Sequence, residues 1–418
     1  MPRRRRHDVV AVAIAALACA AAACQADSGD AGCQLAPQQT LPGTPLTLLA
    51  NARLDQVGGG YFLLGNDDTA LRWGAVSADG STLTGEQSYA LPSEATALYY
   101  AMAGLESPGD TVLLGYLRTA TSGTGAELAV LALPVDGSPP SAPAVSAQPF
   151  PGGFPAATSV AMISSRAGMN AGLAWIDDSA GRVMVTSLDG TGTETTAGGI
   201  ATSSAATPPF QCLQFSPGKD DLTVVYFAAA TGVQVQGGGA SLPGWIIAET
   251  NEGGSVDSST TLAFTSSSSA NGCAQIAPTQ AGYGITWRDG EGYWLANYTA
   301  QGNMLAGPYL FASASSFGGA SLEPPLSGLA PFGTDYGVLL SRPFDVELWR
   351  LDDMGDRHPG ALIFPSVDGV FGQVSALPPG NPAVPSMNGL VVTYADYTSA
   401  SGVTPATGSR IFANAVCY

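Results

Sequence analysis

The stretch that decides the fold is Gly282 to Gly302, GYGITWRDGEGYWLANYTAQG. It contains two short apolar segments, GYGITW and GYWLANYT, on either side of the polar turn RDGE. Segments of this length, which are rich in aromatic residues and bounded by glycine and aspartate, predict a pair of β-strands joined by a turn. Gln301-Gly302 predicts a further turn, so the chain is expected to reverse again directly after this pair.

The same order of apolar strand, polar turn, partner strand and glycine-containing turn recurs along most of the chain. The glycines of these second turns are 49 to 63 positions apart. Repeats of this length with about four short strands are typical of β-propeller blades. No long segment has the apolar spacing of an amphipathic helix, which argues against helical solenoids. Asp-Gly and similar pairs supply the positive φ angles that two-residue hairpins need, so we predict such hairpins at these turns. The turn glycines are Gly80, Gly137, Gly190, Gly253, Gly302 and Gly355.

We therefore predict an all-β protein with a single β-propeller of seven four-stranded blades, or of six or eight if one weak repeat is merged or split. The last repeat ends at Tyr418 on its third strand. The extended stretch from Cys33 to Thr47 is expected to supply the missing outer strand and to close the ring. The alternative fold is a row of β-sandwich domains, which need about seven strands each and do not produce a four-strand repeat.

The composition agrees with this fold and restricts the partners. The 418 residues include 53 glycines and 30 prolines, as expected for an all-β protein with many turns. The formal net charge is −18. Nucleic acids and anionic lipid surfaces bind basic patches, so this charge argues against both as partners. We expect a monomer that binds no nucleic acid.

The N-terminus has the pattern of an export signal. Arg3 to Arg6 form a basic segment, and Val9 to Ala23 form an apolar segment that is too short to span a membrane. The small residues before Cys24 resemble a bacterial lipobox, which implies cleavage before Cys24 and lipidation of its sulfur. The residue directly after this cysteine is Gln25 rather than aspartate. By the same resemblance, this implies transport to the outer membrane. An ordinary secretory signal cleaved nearby is the alternative.

These patterns divide the chain into a signal peptide at 1–23, a lipidated cysteine with a flexible tether at 24–40, and a propeller at 41–418. An even number of cysteines remains after the lipidated one, and in an exported protein this predicts disulfides. Cys212 and Cys273 occupy the same position in successive repeats, whereas Cys33 and Cys417 lie near the two ends of the folded region. We predict the pairs Cys33–Cys417 and Cys212–Cys273, with free buried thiols as the alternative.

Carboxylates recur in the loops between the second and third strands of the repeats. On a propeller these loops share one face, where carboxylate and carbonyl oxygens could bind calcium. No loop has the dense aspartate pattern of a dedicated calcium site, and aspartate in turns ordinarily accepts local hydrogen bonds. The weak metal candidates are Asp67, Asp68, Asp177, Asp178 and Asp289. Asp352, Asp353, Asp356 and His358 form a second polar group at an opposite-face turn, where we expect the histidine to be exposed.

The sequence contains few residues suited to catalysis. After the signal peptide, the chain has one histidine, His358, and one lysine, Lys219. This excludes metal motifs with two histidines and triads elsewhere in the chain. We keep glycosidase chemistry as an alternative. It uses two carboxylates about 5–10 Å apart, and the sequence has many acidic residues. We assign no catalytic residue and no cofactor.

Two functions follow from this interpretation. The first is a lipid-anchored propeller on the cell envelope that acts as a non-catalytic binding or scaffolding module for an envelope protein or a glycan. The second is a secreted propeller hydrolase or lyase that acts on glycans or lactones through acidic residues in its central channel. Several carboxylates on the innermost strands would favour the enzyme, whereas small and apolar residues there would favour the binding module.

Overall fold

The computed structural model describes the strands between residues 33 and 417 and some of the connections between them, including 135–136, 189–195, 289–291 and 352–358. Residues 1–32, residue 418 and much of the remaining connections lie outside the described residues. The regular elements of the described part are β-strands and a 3₁₀ turn at Ala314–Phe317. None of the described elements is a helix long and apolar enough to cross a membrane.

The described strands form seven antiparallel sheets, which we call blades one to seven. In blades one to six the strands cross the sheet in chain order. Blade one contains β3 (Arg53–Val57), β4 (Gly60–Asn66), β5 (Ala70–Val76) and β6 (Leu83–Ala90). Blade two contains β7 (Ala95–Leu105), β8 (Thr111–Thr119), β9 (Ala126–Pro134) and β10 (Ala144–Val145). Blade three contains β11 (Val160–Ser164), β12 (Ala171–Asp177), β13 (Arg182–Leu188) and β14 (Gly199–Ile200).

The remaining blades follow the same plan, with one difference in blade seven. Blade four contains β15 (Ala206–Pro217), β16 (Leu222–Thr231), β17 (Gly244–Thr250) and β18 (Val256–Ala263). Blade five contains β19 (Gln275–Pro278), β20 (Gly282–Arg288), β21 (Gly292–Thr299) and β22 (Met304–Ser313). Blade six contains β23 (Leu326–Phe332), β24 (Asp335–Ser341), β25 (Asp345–Leu351) and β26 (Leu362–Pro365). Blade seven contains β27 (Ser375–Leu377), β28 (Asn388–Tyr397), β29 (Gly408–Cys417) and, from the N-terminus, β1 (Cys33–Leu35) and β2 (Gln39–Thr40).

The first strands of the blades form a closed ring. Each contacts the first strand of the next blade, in the order β3, β7, β11, β15, β19, β23 and β27, and β27 contacts β3. A ring of four-stranded sheets whose first strands surround a common axis is a β-propeller. The predicted fold class is therefore confirmed, and the described strands agree with seven blades.

The N-terminal segment closes the ring. β1 and β2 both pair with β29 in antiparallel register, on the side away from β28, and Cys33 lies opposite Cys417. A sheet contributed by both ends of the chain covers what would otherwise be an open strand edge. The described strands of the propeller begin at residue 33, so the last residues of the predicted tether, 33–40, include strands of blade seven.

The core lies between neighbouring blades. On β8, Val112 and Leu114 pack in one cluster with Trp73 of blade one, whereas Leu113 packs with Trp175 of blade three. Successive residues of a strand point to opposite faces of a sheet, so the middle strands bury both faces. This explains why the central strands are predominantly apolar, while the outer strands β6 and β22 are exposed or half-buried over most of their length.

The glycine-containing turns differ from the two-residue hairpins that the sequence predicted. At 189–193 the amide of Gly192 donates to the carbonyl of Asp189, and the amide of Asp189 donates to the carbonyl of Thr193. The residue with positive φ is Gly192, at 82°, rather than Gly190. The turn at 352–356 has the same hydrogen bonds, with Gly355 at a φ of 78°. These connections are therefore longer loops, each closed by an aspartate.

Candidate functional site

The innermost strands contain few charged residues. Among the described first strands, only β3 carries charged residues, Arg53 and Asp55. The other six consist of apolar, small and amide residues, such as VAMIS in β11 and QIAP in β19. Hydrolysis of a glycosidic bond ordinarily needs two carboxylates on either side of the bond. The described inner strands contain one carboxylate, that of Asp55.

Five buried carboxylates lie on the middle strands or in their turns, and each has a partner in its own blade. On blade two, Nε of Arg118 lies 2.6 Å from Oε1 of Glu127, directly across the β8–β9 pair. On blade three, Nε of Arg182 lies 3.8 Å from Oδ2 of Asp177, again directly opposite. Opposite charges at facing positions stabilise a strand pair. Both pairs lie where the second strand ends and the third begins.

Asp289 organises the turn between β20 and β21. Its Oδ1 accepts hydrogen bonds from the amides of Glu291 at 2.8 Å and Gly292 at 3.3 Å, and from the indole N–H of Trp294 at 2.9 Å. This is the local role that aspartate ordinarily has in turns. The weak metal candidates Asp67, Asp68 and Asp178 lie outside the described residues. Within the described residues, no three potential metal-binding side chains of the His, Cys, Asp or Glu type come together.

A polar cluster around the buried Asp335 carboxylate on blade six was missed by the sequence analysis. Oδ2 of Asp335 lies 2.5 Å from Nε of Arg350 and 3.1 Å from Nε2 of His358. His358 is therefore half-buried beside a carboxylate, and our expectation of a merely exposed histidine is wrong. Asp335 begins β24 and Arg350 is near the end of β25, so only the hairpin register could have suggested the contact. On the same blade, Oε2 of Glu347 accepts the indole N–H of Trp349.

A hydrogen-bonded chain connects blades five and six. Tyr336 donates to the side-chain oxygen of Asn297, and the Asn297 amide donates to the backbone oxygen of Asp353. Burial raises the pKa of the Tyr336 phenol, and the nearby Asp353 carboxylate raises it further. A Cβ at Gly284 would overlap the Tyr336 ring, so glycine is required there for the blades to approach. This phenol is neutral and structural rather than a proton-transfer group.

The pKa values of Tyr116 and Asp189 are also shifted, for reasons that follow from their surroundings. Burial raises the pKa of the Tyr116 phenol in the core between blades one and two. Partial burial raises the pKa of Asp189, but hydrogen bonds from Thr191, Thr193 and Gly192 outweigh it, so the pKa of this carboxyl lies below its usual value.

The cysteines of the folded region lie at two junctions. The sulfurs of Cys212 and Cys273 are joined by a disulfide, with the Cα atoms 5.1 Å apart. Cys212 is on β15 and Cys273 precedes β19, so this bond connects the inner strands of blades four and five. Cys33 and Cys417 are backbone partners in blade seven. The lipidation candidate Cys24 lies outside the described residues.

Comparison with known proteins yields structural likeness only. No family model and no curated protein matches the sequence. The chain resembles the propeller domain of the Trilobed protease from Pyrococcus furiosus, with 9% identity, 83% of this chain and 91% of that chain covered, and a TM-score of 0.42. It also resembles an aldose sugar dehydrogenase from Streptomyces coelicolor, with 14% identity, 77% of this chain and 95% of that chain covered, and a TM-score of 0.43. A third likeness is to an α-L-arabinofuranosidase from Fusarium graminearum, with 11% identity, 80% of this chain and 98% of that chain covered, and a TM-score of 0.43. None of these carries an argument about activity.

Proposed function

We propose that this protein is a non-catalytic binding or scaffolding propeller, attached to the outer membrane of a bacterial cell envelope through a lipid on Cys24. The observation that carries the non-catalytic part is the composition of the inner strands. Asp55 is the one carboxylate on the described inner strands, whereas an acidic channel enzyme would need at least two near each other.

The buried carboxylates on the middle strands support the same proposal. Glu127, Asp177 and Asp335 each face an arginine of their own blade, and Asp289 accepts hydrogen bonds from its own turn. A general acid or base must reach a substrate proton, and its pKa is usually tuned towards the working pH. Carboxylates that pair with arginine or accept hydrogen bonds from amide N–H groups stabilise the fold, and we assign them no role in catalysis.

Ligands would be bound by the long connections between second and third strands. The connection between β16 and β17, at 232–243, and that between β28 and β29, at 398–407, are rich in small and polar residues. In a propeller such connections share one face with the connections between blades. Variable loops on a rigid scaffold are the usual place for a binding surface. We expect an envelope protein or a glycan as the ligand.

The anchoring can be tested in bacteria that produce the whole chain. With radioactive palmitate, the wild type should be labelled and recovered with membranes, whereas Cys24→Ser should be unlabelled and released. A Cys19→Ser variant is the matched control and should keep both properties. Labelling that persists in Cys24→Ser would overturn the proposed anchor.

The binding role can be tested separately on the mature protein. Capture from envelope extracts should yield a partner or glycan that is lost when 232–243 is replaced by a glycine–serine linker, with the unfolding midpoint unchanged. Assays on a panel of glycosides and lactones should show no turnover. Turnover that is abolished by Asp55→Asn would instead establish the hydrolase alternative.

A further inference from the structure

The strand pairing in blade seven determines the face of the propeller at which the folded chain begins. β28 and β29 are antiparallel, and Tyr397 lies opposite Gly408. The connection at 398–407 therefore joins these strands at one face of the blade, and β29 ends at the other face. β1 is antiparallel to β29, with Cys33 opposite Cys417, so the chain enters the propeller at the face where β29 ends.

The connections of the other blades alternate between the same two faces, because their strands are antiparallel and cross each sheet in chain order. Connections from second to third strands, such as 232–243 and 398–407, share one face, which we call the ligand face. Turns from third to fourth strands, such as 189–193 and 352–356, share the opposite face, which we call the entry face because β1 begins there. The segment that would carry the lipid thus joins the propeller opposite the proposed binding surface.

The short stretch between Cys24 and the propeller limits which face can meet a membrane. Nine residues lead from Cys24 to Cys33, and a fully extended chain of this length spans about 30 Å. β29 has ten residues and extends about 30 Å from the ligand face to the entry face. An unrestrained chain of nine residues would average only about 15–18 Å. The lipid could come level with the ligand face only if the whole stretch were pulled straight along the outside of blade seven.

The charges on the entry face agree with a gap between this face and the lipid. Asp136, Asp353 and Asp356 are exposed and lie in third-to-fourth-strand turns. Anionic headgroups repel such carboxylates, but at physiological ionic strength the repulsion is screened beyond about 8 Å. A linker of about 15–18 Å exceeds this distance. The entry face can therefore be the nearer one without touching the headgroups.

We propose that the anchored propeller turns its ligand face away from the membrane, and that this face binds soluble proteins or glycan chains in the aqueous space of the envelope rather than lipid headgroups. The inference rests on the proposed anchor and binding role, and it adds the orientation and the kind of partner. A partner in the aqueous space can reach the connections at 232–243 and 398–407 directly. A headgroup instead faces the aspartates of the entry face.

The orientation can be measured by fluorescence energy transfer in vesicles that contain the whole lipidated protein and a phospholipid bearing an acceptor dye. The donor dye is attached at Gly290→Cys, in the ligand-face turn before β21, or at Asn303→Cys, in the entry-face turn after it. Both positions are exposed, and the eight residues of β21 separate them by about 26 Å. Transfer should be several-fold more efficient from position 303, because it falls steeply with distance from the acceptor plane. Wild-type protein that is treated in the same way gives the background labelling of the native cysteines.

A lengthened linker is the matched control. About 30 glycine and serine residues inserted between Asp30 and Ala31 raise the average length to about 30–35 Å, so the difference between the two labels should shrink while the unfolding midpoint is unchanged. Equal transfer from both labels with the native linker, or stronger transfer from position 290, would overturn the proposal. Phospholipid that is cross-linked by a photoreactive group at position 290 would overturn it as well. Protein that is not recovered with the vesicles would contradict the anchor, and the orientation with it, whereas recovery with equal transfer contradicts the orientation alone.

Discussion

The hydroxyl of Tyr336 on β24 donates a hydrogen bond to the side-chain oxygen of Asn297 on β21, with the two oxygens 2.5 Å apart. The residues belong to different blades, and Tyr336 is almost completely buried. The Asn297 amide is bonded in turn to the backbone of Asp353 in the blade-six turn. These contacts join two sheets that also pack against each other through apolar side chains.

Tyr336→Phe should lower the free energy of unfolding by about 1–3 kcal/mol, because it leaves the buried oxygen of Asn297 without its donor. Tyr298→Phe is the matched control. The hydroxyl of Tyr298 is buried and has no hydrogen-bond partner among the described residues, so its removal should be neutral or slightly stabilising. Denaturant unfolding of both variants tests the prediction, and equal effects would contradict it.

Gly284→Ala should destabilise the protein by about 1–3 kcal/mol, because the added methyl group overlaps the Tyr336 ring. The cost should be smaller when Tyr336 is already leucine, since the smaller side chain leaves room. A double-mutant cycle by thermal or urea unfolding measures this coupling. Purely additive effects would show that the two residues do not constrain each other.

Arg350→Met should lower the free energy of unfolding by about 2–4 kcal/mol, because it removes the closest cation from the buried Asp335 carboxylate. The cost stays below that of a fully buried pair, since the Arg350 side chain is 21% exposed. The control is Arg357→Met, whose guanidinium lies over an aromatic ring and is exposed, and which should cost less than about 1 kcal/mol. An unfolding midpoint of Arg350→Met equal to the control would contradict the prediction.

Asp189→Ala should lower stability near neutral pH by about 0.5–1.5 kcal/mol, because Asp189 accepts hydrogen bonds that close its turn. The pKa of Asp189 is lowered in the folded protein. The charged carboxylate therefore contributes stability above the unfolded pKa, and this contribution is lost as pH falls through the folded pKa. The difference in stability between wild type and Asp189→Ala should accordingly shrink below about pH 4. A difference that stays constant down to pH ~2 would contradict this.

The double variant Cys212→Ala with Cys273→Ala should lower the free energy of unfolding by about 2–4 kcal/mol, because the disulfide joins residues 61 positions apart and restricts the unfolded chain.

Non-reducing peptide mapping should recover Cys212 and Cys273 in one peptide pair. It should likewise recover Cys33 with Cys417, which face each other in blade seven. Peptides that carry free thiols at these positions would contradict the pairing.

The repeat in the sequence was sufficient for the architecture but not for the details of its turns. Apolar strands between regularly spaced glycine turns predicted the propeller and its closure by an N-terminal strand. The same glycines suggested two-residue hairpins, whereas Gly192 takes the positive φ angle in a longer turn that Asp189 closes. A dipeptide identifies a turn more reliably than the register of the turn, because several loop lengths use the same residues.

The sequence by itself determined the fold class because the middle strands bury both faces, and this requirement leaves continuous apolar segments at a regular period. Only the tertiary structure decided which polar residues meet, as with Tyr336 and Asn297 or Asp335 and His358. These contacts depend on the register between hairpins and on the approach of neighbouring blades, which no local pattern along the chain contains.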